Sequence, residues 1–460
     1  MTAWRPHLPE LPGDPTPIYQ RIIAALEQDV RAGTLAPDTR LPTHRDLAAL
    51  LGVGVGTVTK AYAEAEARGL VTARVGRGSF VAPLAVGRPR PAGEPINFSR
   101  NFPPRGPATA RLPDTMTKLR RRPDLLDHLD YAPPAGFEAH RRAGADWLMR
   151  TSGWANLDWR RLICCGGSQQ AMSLALGAVC AAGDIIAAEQ STYWGMKALA
   201  AQIGCPLHGV EMDGEGILPE ALDRAAQAGA RALYVIPTLQ NPTGRIMGAE
   251  RRAQVVEIAR ARDLWIIEDD LYAAYAQGLG IIPLAQLAPE RTFHVSGLSK
   301  TIAPGLRAGY LIPPQGEMFD RVIRAVRGLY YAPSSFGDLI AVQWIEDGTA
   351  DTILAEVLAK MRERTALALG MLGAHAAPPA GPNVMHLWLP MSEPAAERAA
   401  ARALRAGVEI TPPSAPLIDG ADTGLRLCLG GPPDRASLEA GLKAVVEALA
   451  AGADRTLDLV

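Results

Sequence analysis

TFHVSGLSKTIAPGLRAGYLI, residues 292–312, sets the frame for the whole chain. Two short apolar runs, TFHVSG (292–297) and RAGYLI (307–312), flank a polar, glycine- and proline-containing connection. Runs of this length bounded by turn residues read as buried strands. The same unit recurs on the N-terminal side, in RLICC (161–165), DIIAAE (184–189), ALYVIP (232–237) and LWIIED (264–269). Long Ala/Leu/Arg stretches of helical character separate these runs. Alternating strands and helices predict an α/β architecture with a mostly parallel central sheet covered on both faces. In such sheets ligands gather beyond the carboxyl ends of the strands.

Each predicted strand ends on residues suited to chemistry. RLICC runs into GGSQQA, where a glycine turn opens a helix and places Ser168 and Gln169 at its start. Free N–H groups at a helix start bind phosphate. QSTYWG follows DIIAAE and carries Tyr193; TLQNPTG follows ALYVIP and carries Asn241. LWIIED ends on Asp269, with Tyr272 three residues later, and Lys300 and Arg307 follow TFHVSG. The chain has six lysines, at 60, 118, 197, 300, 360 and 443, and arginine carries nearly all its positive charge. A lysine at a strand end in such a chain points to a need for an amine. Lysine can lose its proton and act as a nucleophile, whereas arginine cannot.

These parts suit pyridoxal phosphate. Its aldehyde needs a lysine to form a Schiff base, and its ring nitrogen needs a carboxylate to stay protonated. Lys300, with Ser299 beside it, and Asp269 meet those needs. Asn241 and Tyr272 supply donors for the ring oxygen, Tyr193 a face for the ring, and Ser168, Gln169 and Arg307 a phosphate site. NPTG, EDDLY and SKTIAPGLRAGY, in this order, resemble the fold-type I aminotransferases from about residue 96 to the end. The resemblance implies that Tyr131, in LDYAPPAGFEAHR, reaches the partner subunit's phosphate. It also implies that Arg426, in LRLCLG, binds a substrate carboxylate. Two positions depart from the family pattern. Gly297 stands where a serine is common, with Ser296 one residue earlier. In EQSTYWG, Thr192 precedes the aromatic where many relatives have proline.

The first 83 residues read differently. Ile18, Ile22, Leu26 and Val30 mark one face of a helix between Pro17 and Gly33. Thr43 with Asp46 resembles a capping box before a second helix. A turn with Gly52, Gly54 and Gly56 leads to a third helix, expected from Thr57 to Arg68, and LVTAR and SFVAP form a hairpin. This is the layout of a winged helix-turn-helix. RLPTHRDLA, TVTKAY and GRGSFV resemble the DNA-binding head of the GntR family. That resemblance implies contacts to double-stranded DNA from Arg45, Thr57, Lys60, Tyr62 and Arg77. Val55 replaces an arginine common near the start of the recognition helix. Residues 14–83 hold eight Lys/Arg and seven Asp/Glu, a balance of +1, so non-specific electrostatic affinity is expected to be modest.

A chain of 460 residues accommodates two or three units of roughly 100–200 residues each. The expected division is 14–83 for the winged head, 84–95 for a Pro/Gly-rich linker and 96–460 for the aminotransferase-like body. Net charge is −1, so no global basic field recruits nucleic acid. Five cysteines without a C-x-x-C pair suggest neither a zinc site nor a disulfide framework, and no metal is expected. No signal-peptide layout opens the chain and no apolar run spans a bilayer, so a cytoplasmic location is expected. A GntR-like head on an aminotransferase-like body resembles the MocR type of bacterial regulator. It implies a homodimer that senses an amine, an amino acid or the cofactor itself. A catalytically active aminotransferase with a vestigial head, or a lyase on the same scaffold, is the alternative.

Overall fold

The computed structural model describes residues 4–6, 8, 16–31, 34–36, 39–67, 70–74, 78–81, 94–420 and 422–451. The chain divides into two units, Met1–Arg90 and Pro91–Val460.

In the first unit, α1 (Ile18–Arg31), α2 (His44–Leu51) and α3 (Val55–Ala67) precede a hairpin of β1 (Val71–Arg74) and β2 (Gly78–Val81). Thr43 caps α2 by accepting from the Asp46 N–H, and its hydroxyl donates to Asp46 Oδ2 at 2.6 Å. Gly52 ends α2 in the left-handed region, φ 64°, which a residue with a Cβ adopts less readily. The third helix starts two residues earlier than expected, at Val55, with Gly56 inside it. Ile22, Leu26 and Val30 of α1 meet Leu47 of α2 and Val58, Ala61 and Tyr62 of α3 in one core. Residues 39–41 extend the hairpin, through Val81 N–H to Thr39 O and Leu41 N–H to Ser79 O, both 2.9 Å.

The second unit is built on a seven-stranded sheet. Its strands are β3 (Ile163–Cys165), β4 (Ile185–Glu189), β5 (Leu207–Val210), β6 (Ala230–Val235), β7 (Trp265–Asp269), β8 (Thr292–Gly297) and β9 (Gly309–Ile312). Their order across the sheet is β3-β9-β8-β7-β6-β4-β5. Only β9 runs antiparallel to its neighbours. Side chains alternate between two cores, as a strand's period of two requires. Ala232 and Tyr234 of β6 and Ile267 of β7 face one core; Leu233, Val235 and Ile266 face the other. The covering helices used below are α4 (Glu138–Ser152), α5 (Ser168–Val179), α6 (Trp194–Ile203) and α7 (Ala249–Ala261). A smaller lobe pairs β10 (His386–Pro390) with β11 (Gly424–Cys428) antiparallel, Trp388 opposite Arg426. Among the described residues no helix is long and apolar enough to cross a membrane.

Candidate functional site

The carboxyl ends of β3, β4, β6, β7 and β8 lie along one edge of the sheet. Because β9 is antiparallel, its amino end reaches the same edge and brings Arg307 there. Asp269 ends β7 and is buried. Ile267 pairs in register with Tyr234, so Asp269, two residues on, shares that face. The Tyr234 hydroxyl donates to Asp269 Oδ2 at 2.8 Å, while Oδ1 is buried with no hydrogen-bond partner. Burial pushes the Asp269 carboxyl up to about 6, against the Tyr234 bond and the nearby Lys300, which pull it down. A buried acceptor without a donor is costly. It fits a ligand that brings an N–H.

Lys300 follows β8, and its Nζ donates to Asn101 O at 2.6 Å. Loss of hydration lowers its ammonium to about 8, helped by Arg426 and Arg307. The side chain of Asn101 donates to the Tyr272 hydroxyl at 2.9 Å and meets His386 Nδ1 at 3.1 Å. His386 Nε2 lies 3.0 Å from Gln240 O, which makes that nitrogen the donor and the ring neutral; burial lowers its pKa to about 3. Asn241 Oδ1 accepts from Arg426 Nη1 at 2.7 Å, and Arg426 Nη2 donates to Ser99 O at 2.6 Å and Thr411 Oγ1 at 2.8 Å. Asn241 Nδ2 and the Tyr272 hydroxyl proton thus remain for another oxygen. Arg426 is itself buried, with the Trp194 ring 4.6 Å from its guanidinium carbon.

The phosphate-type end is made by Gly166, Gly167 and the first turn of α5. Gly167 caps that helix with φ 92°, and Ser168 and Gln169 open it. Arg307 Nη2 donates to Gly166 O at 2.8 Å. A Cβ on Gly167 would collide with the Arg307 guanidinium, so the glycine clears the cradle. Gln169 Nε2 donates to Gly195 O at 2.9 Å. The family departure at Gly297 has a steric reason: a Cβ there would meet Ala308 O at 2.7 Å. Ser296 does not replace the missing hydroxyl, because it faces Asp270 O at 3.3 Å. Ser299 is half-buried beside Lys300. Tyr193 precedes α6 and is half-buried, its ring centroid 5.4 Å from that of Trp194; burial and then Asp269 raise its hydroxyl pKa. Tyr131 is 83% exposed and packs edge-on against Tyr331, with centroids 4.9 Å apart.

The donor set fits pyridoxal phosphate. An orphaned carboxylate oxygen suits a protonated ring nitrogen, a depressed amine suits its aldehyde, and a glycine-cleared helix start beside an arginine suits its phosphate. Asn101, Tyr234 and His386 were not legible as site residues in the sequence. Tyr234 sits in a plain strand run, and Asn101 lies in an aperiodic stretch.

On the head, Arg45 and Lys60 are exposed, and Lys60 Nζ stands 4.0 Å from the Tyr19 ring centroid. Thr57 is half-buried in the first turn of α3. The expectation for Tyr62 needs correction. It is 3% exposed and its hydroxyl donates to Pro42 O at 3.0 Å, so it is a core residue and offers no DNA contact. Arg77 and residues 84–93 of the expected linker lie outside the described residues. Val55 is exposed at the start of α3, leaving an apolar side chain where an arginine was expected.

A fold of this kind with a lysine at the sheet edge is an aminotransferase fold, here with a helix-turn-helix ahead of it. The model of the aminotransferase class I and II family matches residues 94–445, and that of the GntR family of bacterial regulatory proteins matches 18–81. The chain belongs to the aminotransferase class I and II family and carries a GntR-type head. It is 30% identical over 325 residues to the uncharacterised HTH-type transcriptional regulator YdeF of Bacillus subtilis, covering 68% of each chain. It is 30% identical over 331 residues to the HTH-type pyridoxine biosynthesis transcriptional regulator PdxR of Corynebacterium glutamicum, covering 70% of this chain and 71% of that one. To the probable rhizopine catabolism regulatory protein MocR of Rhizobium meliloti it is 27% identical over 393 residues, 78% of each. An archaeal alanine:glyoxylate aminotransferase superposes with a TM-score of 0.72 at 23% identity, covering 78% of this chain and 92% of that one.

Proposed function

We propose that this chain is a pyridoxal-phosphate-dependent transcription regulator of the MocR type. The observation that carries the reading is the joining of a GntR-type head to a body whose sheet edge presents Lys300, Asp269 and an anion cradle. DNA is the partner of the head, and a small molecule is the effector of the body. The cofactor, when bound, supplies an electrophilic carbon and an electron sink.

The residues take the following roles. Lys300 anchors the cofactor, and its lowered pKa keeps a useful fraction of the amine neutral near pH 8. Asp269 holds a proton on the ring nitrogen, and Tyr234 orients that carboxylate. Asn241 and Tyr272 donate to the ring oxygen, and Tyr193 covers the ring. Ser168, Gln169, Ser299 and Arg307 bind the phosphate. Arg426 meets an effector carboxylate. The effector is an amine, an amino acid or the cofactor itself, and it acts by favouring one of two body states. Arg45, Thr57 and Lys60 contact DNA, with Arg77 at the wing.

A homodimer completes the site. Leu126, Leu129, Tyr131, Leu329, Tyr331 and Phe336 expose large apolar surface, and they come from two stretches joined by the Tyr131–Tyr331 contact. Tyr131 then reaches the partner's phosphate. A regulator of this kind works beside the chromosome, in the cytoplasm. The test is fluorescence anisotropy on the DNA upstream of the protein's own coding sequence, with and without pyridoxal phosphate, beside an amino-donor turnover assay. Specific DNA binding with slow or no turnover is expected. Absent DNA binding together with turnover of about 1 s⁻¹ or faster would return the chain to the enzymes.

A further inference from the structure

The two carboxylates that follow one another at the end of β7 face opposite ways. Asp269 shares the Tyr234 side of the sheet. Asp270 continues the strand's ladder, its N–H donating to Val295 O at 2.9 Å, and so falls with Glu268 on the other side. A cavity of about 460 Å³ opens there, lined by Asp270, Thr238, Ala273, Ala276, Ile281 and Ile282 among others. Its volume lies within the range of small-molecule sites, roughly 300–1,000 Å³.

The groups around this cavity differ in how closely they are paired. Burial and then Glu268 push the Asp270 carboxyl up, and His294, Arg252 and a hydrogen bond from Thr238 pull it down, but none of these cations stands within ion-pair distance of it. Glu268 accepts from the N–H groups of Leu284 and Ala285 at 2.8 and 3.0 Å, meets His294 Nδ1 at 3.1 Å, and has Arg252 Nη1 at 3.5 Å. Arg252 is engaged in turn by Met247 O, Pro237 O, Thr238 Oγ1 and Ile282 O. The other guanidinium at the rim, Arg150, pairs with Asp351 at 2.5 Å. Asp270 has no ion pair among the described residues. It is 2% exposed, and its Oδ1 is buried without a hydrogen-bond partner. The carboxyl end of α4 also borders the cavity, at Thr151, Ser152 and Gly153. A helix C-terminus adds negative potential, which favours a cation.

The donor atoms of Glu268, Asp270 and His294 fall within 4.8 Å of one another. A metal ion is nevertheless a poor occupant. The oxygens of Glu268 are already engaged, and the fixed charge of Arg252 stands beside them. The space is also far larger than an ion needs, and Ala273, Ala276, Ile281 and Ile282 give it an apolar wall.

We propose that this cavity is a second ligand site, for a small primary alkylammonium ion, with the ammonium on Asp270 and the alkyl chain along Ala273, Ala276, Ile281 and Ile282. It lies across the sheet from Asp269 and does not depend on the cofactor.

The test uses the full-length Lys300→Ala protein freed of pyridoxal phosphate, so that amines have no aldehyde to react with. Thermal unfolding is followed against rising n-butylammonium chloride, with sodium chloride, tetramethylammonium chloride and magnesium chloride at matched ionic strength. The expected result is a saturable rise in Tm with n-butylammonium alone. Adding Asp270→Asn raises the half-saturating concentration by about tenfold or more, as loss of a charge-assisted hydrogen bond implies. Adding Ala276→Phe, which keeps the carboxylate and fills the cavity, removes the response, and this variant decides the matter if Asp270→Asn fails to fold. No saturable shift, the same half-saturation in all variants, or a magnesium response abolished by Asp270→Asn overturns the proposal. Failure here leaves the Lys300 site untouched, because every arm lacks that lysine.

Discussion

The head and the body place the side chains proposed to act in opposite surroundings. In the body, Asp269, Asn241, Tyr272 and Arg426 are buried, and each is held by a named partner. In the head, Arg45 and Lys60 stand on the surface, and the buried Tyr62 belongs to the core. A buried polar group must be satisfied by the protein or by a ligand, so an unsatisfied one such as Asp269 Oδ1 points to what is bound. A surface arginine is satisfied by water and points to nothing by itself. The body's chemistry can therefore be read from one chain, whereas the head's contacts need DNA to reveal them.

This contrast sets the order of expected effects. Lys300→Ala should abolish covalent cofactor attachment; borohydride reduction followed by peptide mass spectrometry should mark Lys300 in the parent protein and no residue in the variant. A mark elsewhere breaks the body half of the comparison. Asp269→Asn should weaken cofactor binding by about 10–100-fold, the worth of a hydrogen bond to a charged group, measured by absorbance titration. The same titration against pH should show affinity falling as pH drops through about 6, because the carboxylate Asp269 offers the ring nitrogen is then protonated. The rate of attachment should rise with pH through about 8, because the neutral amine is the nucleophile, and an apparent value near the ordinary 10.5 would contradict the placement of Lys300.

In the head the effects are smaller. Arg45→Ala should lower DNA affinity by about threefold to tenfold and reduce the salt slope by about one, with cofactor absorbance unchanged. An unaltered slope would remove Arg45 from the contact set. Tyr62→Phe should cost about 1 kcal/mol of head stability through its bond to Pro42. DNA affinity of the folded fraction should stay the same, and a loss there would restore Tyr62 as a contact.

Much of this was legible in the sequence because strand ends carry their own punctuation. The runs at 184–189, 264–269 and 292–297 matched strands to within a residue, and the residues after them reached one edge. The antiparallel direction of β9 was not legible, since a short buried run has no polarity. Nor were the ties of Asp269 to Tyr234 and of Lys300 to Asn101, which depend on register and on a segment 199 residues away. The misplacement of Tyr62 was avoidable. Val58, Ala61, Tyr62 and Ala65 follow the spacing of one helix face, and all four are buried. The scarcity of lysine also had a second meaning. Lys197 donates to Ser414 O, Ala415 O and Leu417 O at 3.3, 3.1 and 2.6 Å, a task for a compact three-donor cation.

The central claim is that one chain couples a cofactor on Lys300 to DNA bound by the head. It is tested most directly by measuring operator affinity for the parent protein and for Lys300→Ala, each with and without pyridoxal phosphate at fixed salt. The account predicts that the cofactor changes the affinity of the parent protein and leaves that of Lys300→Ala unchanged. Equal affinities in all four conditions, or a cofactor effect that survives in Lys300→Ala, would contradict it.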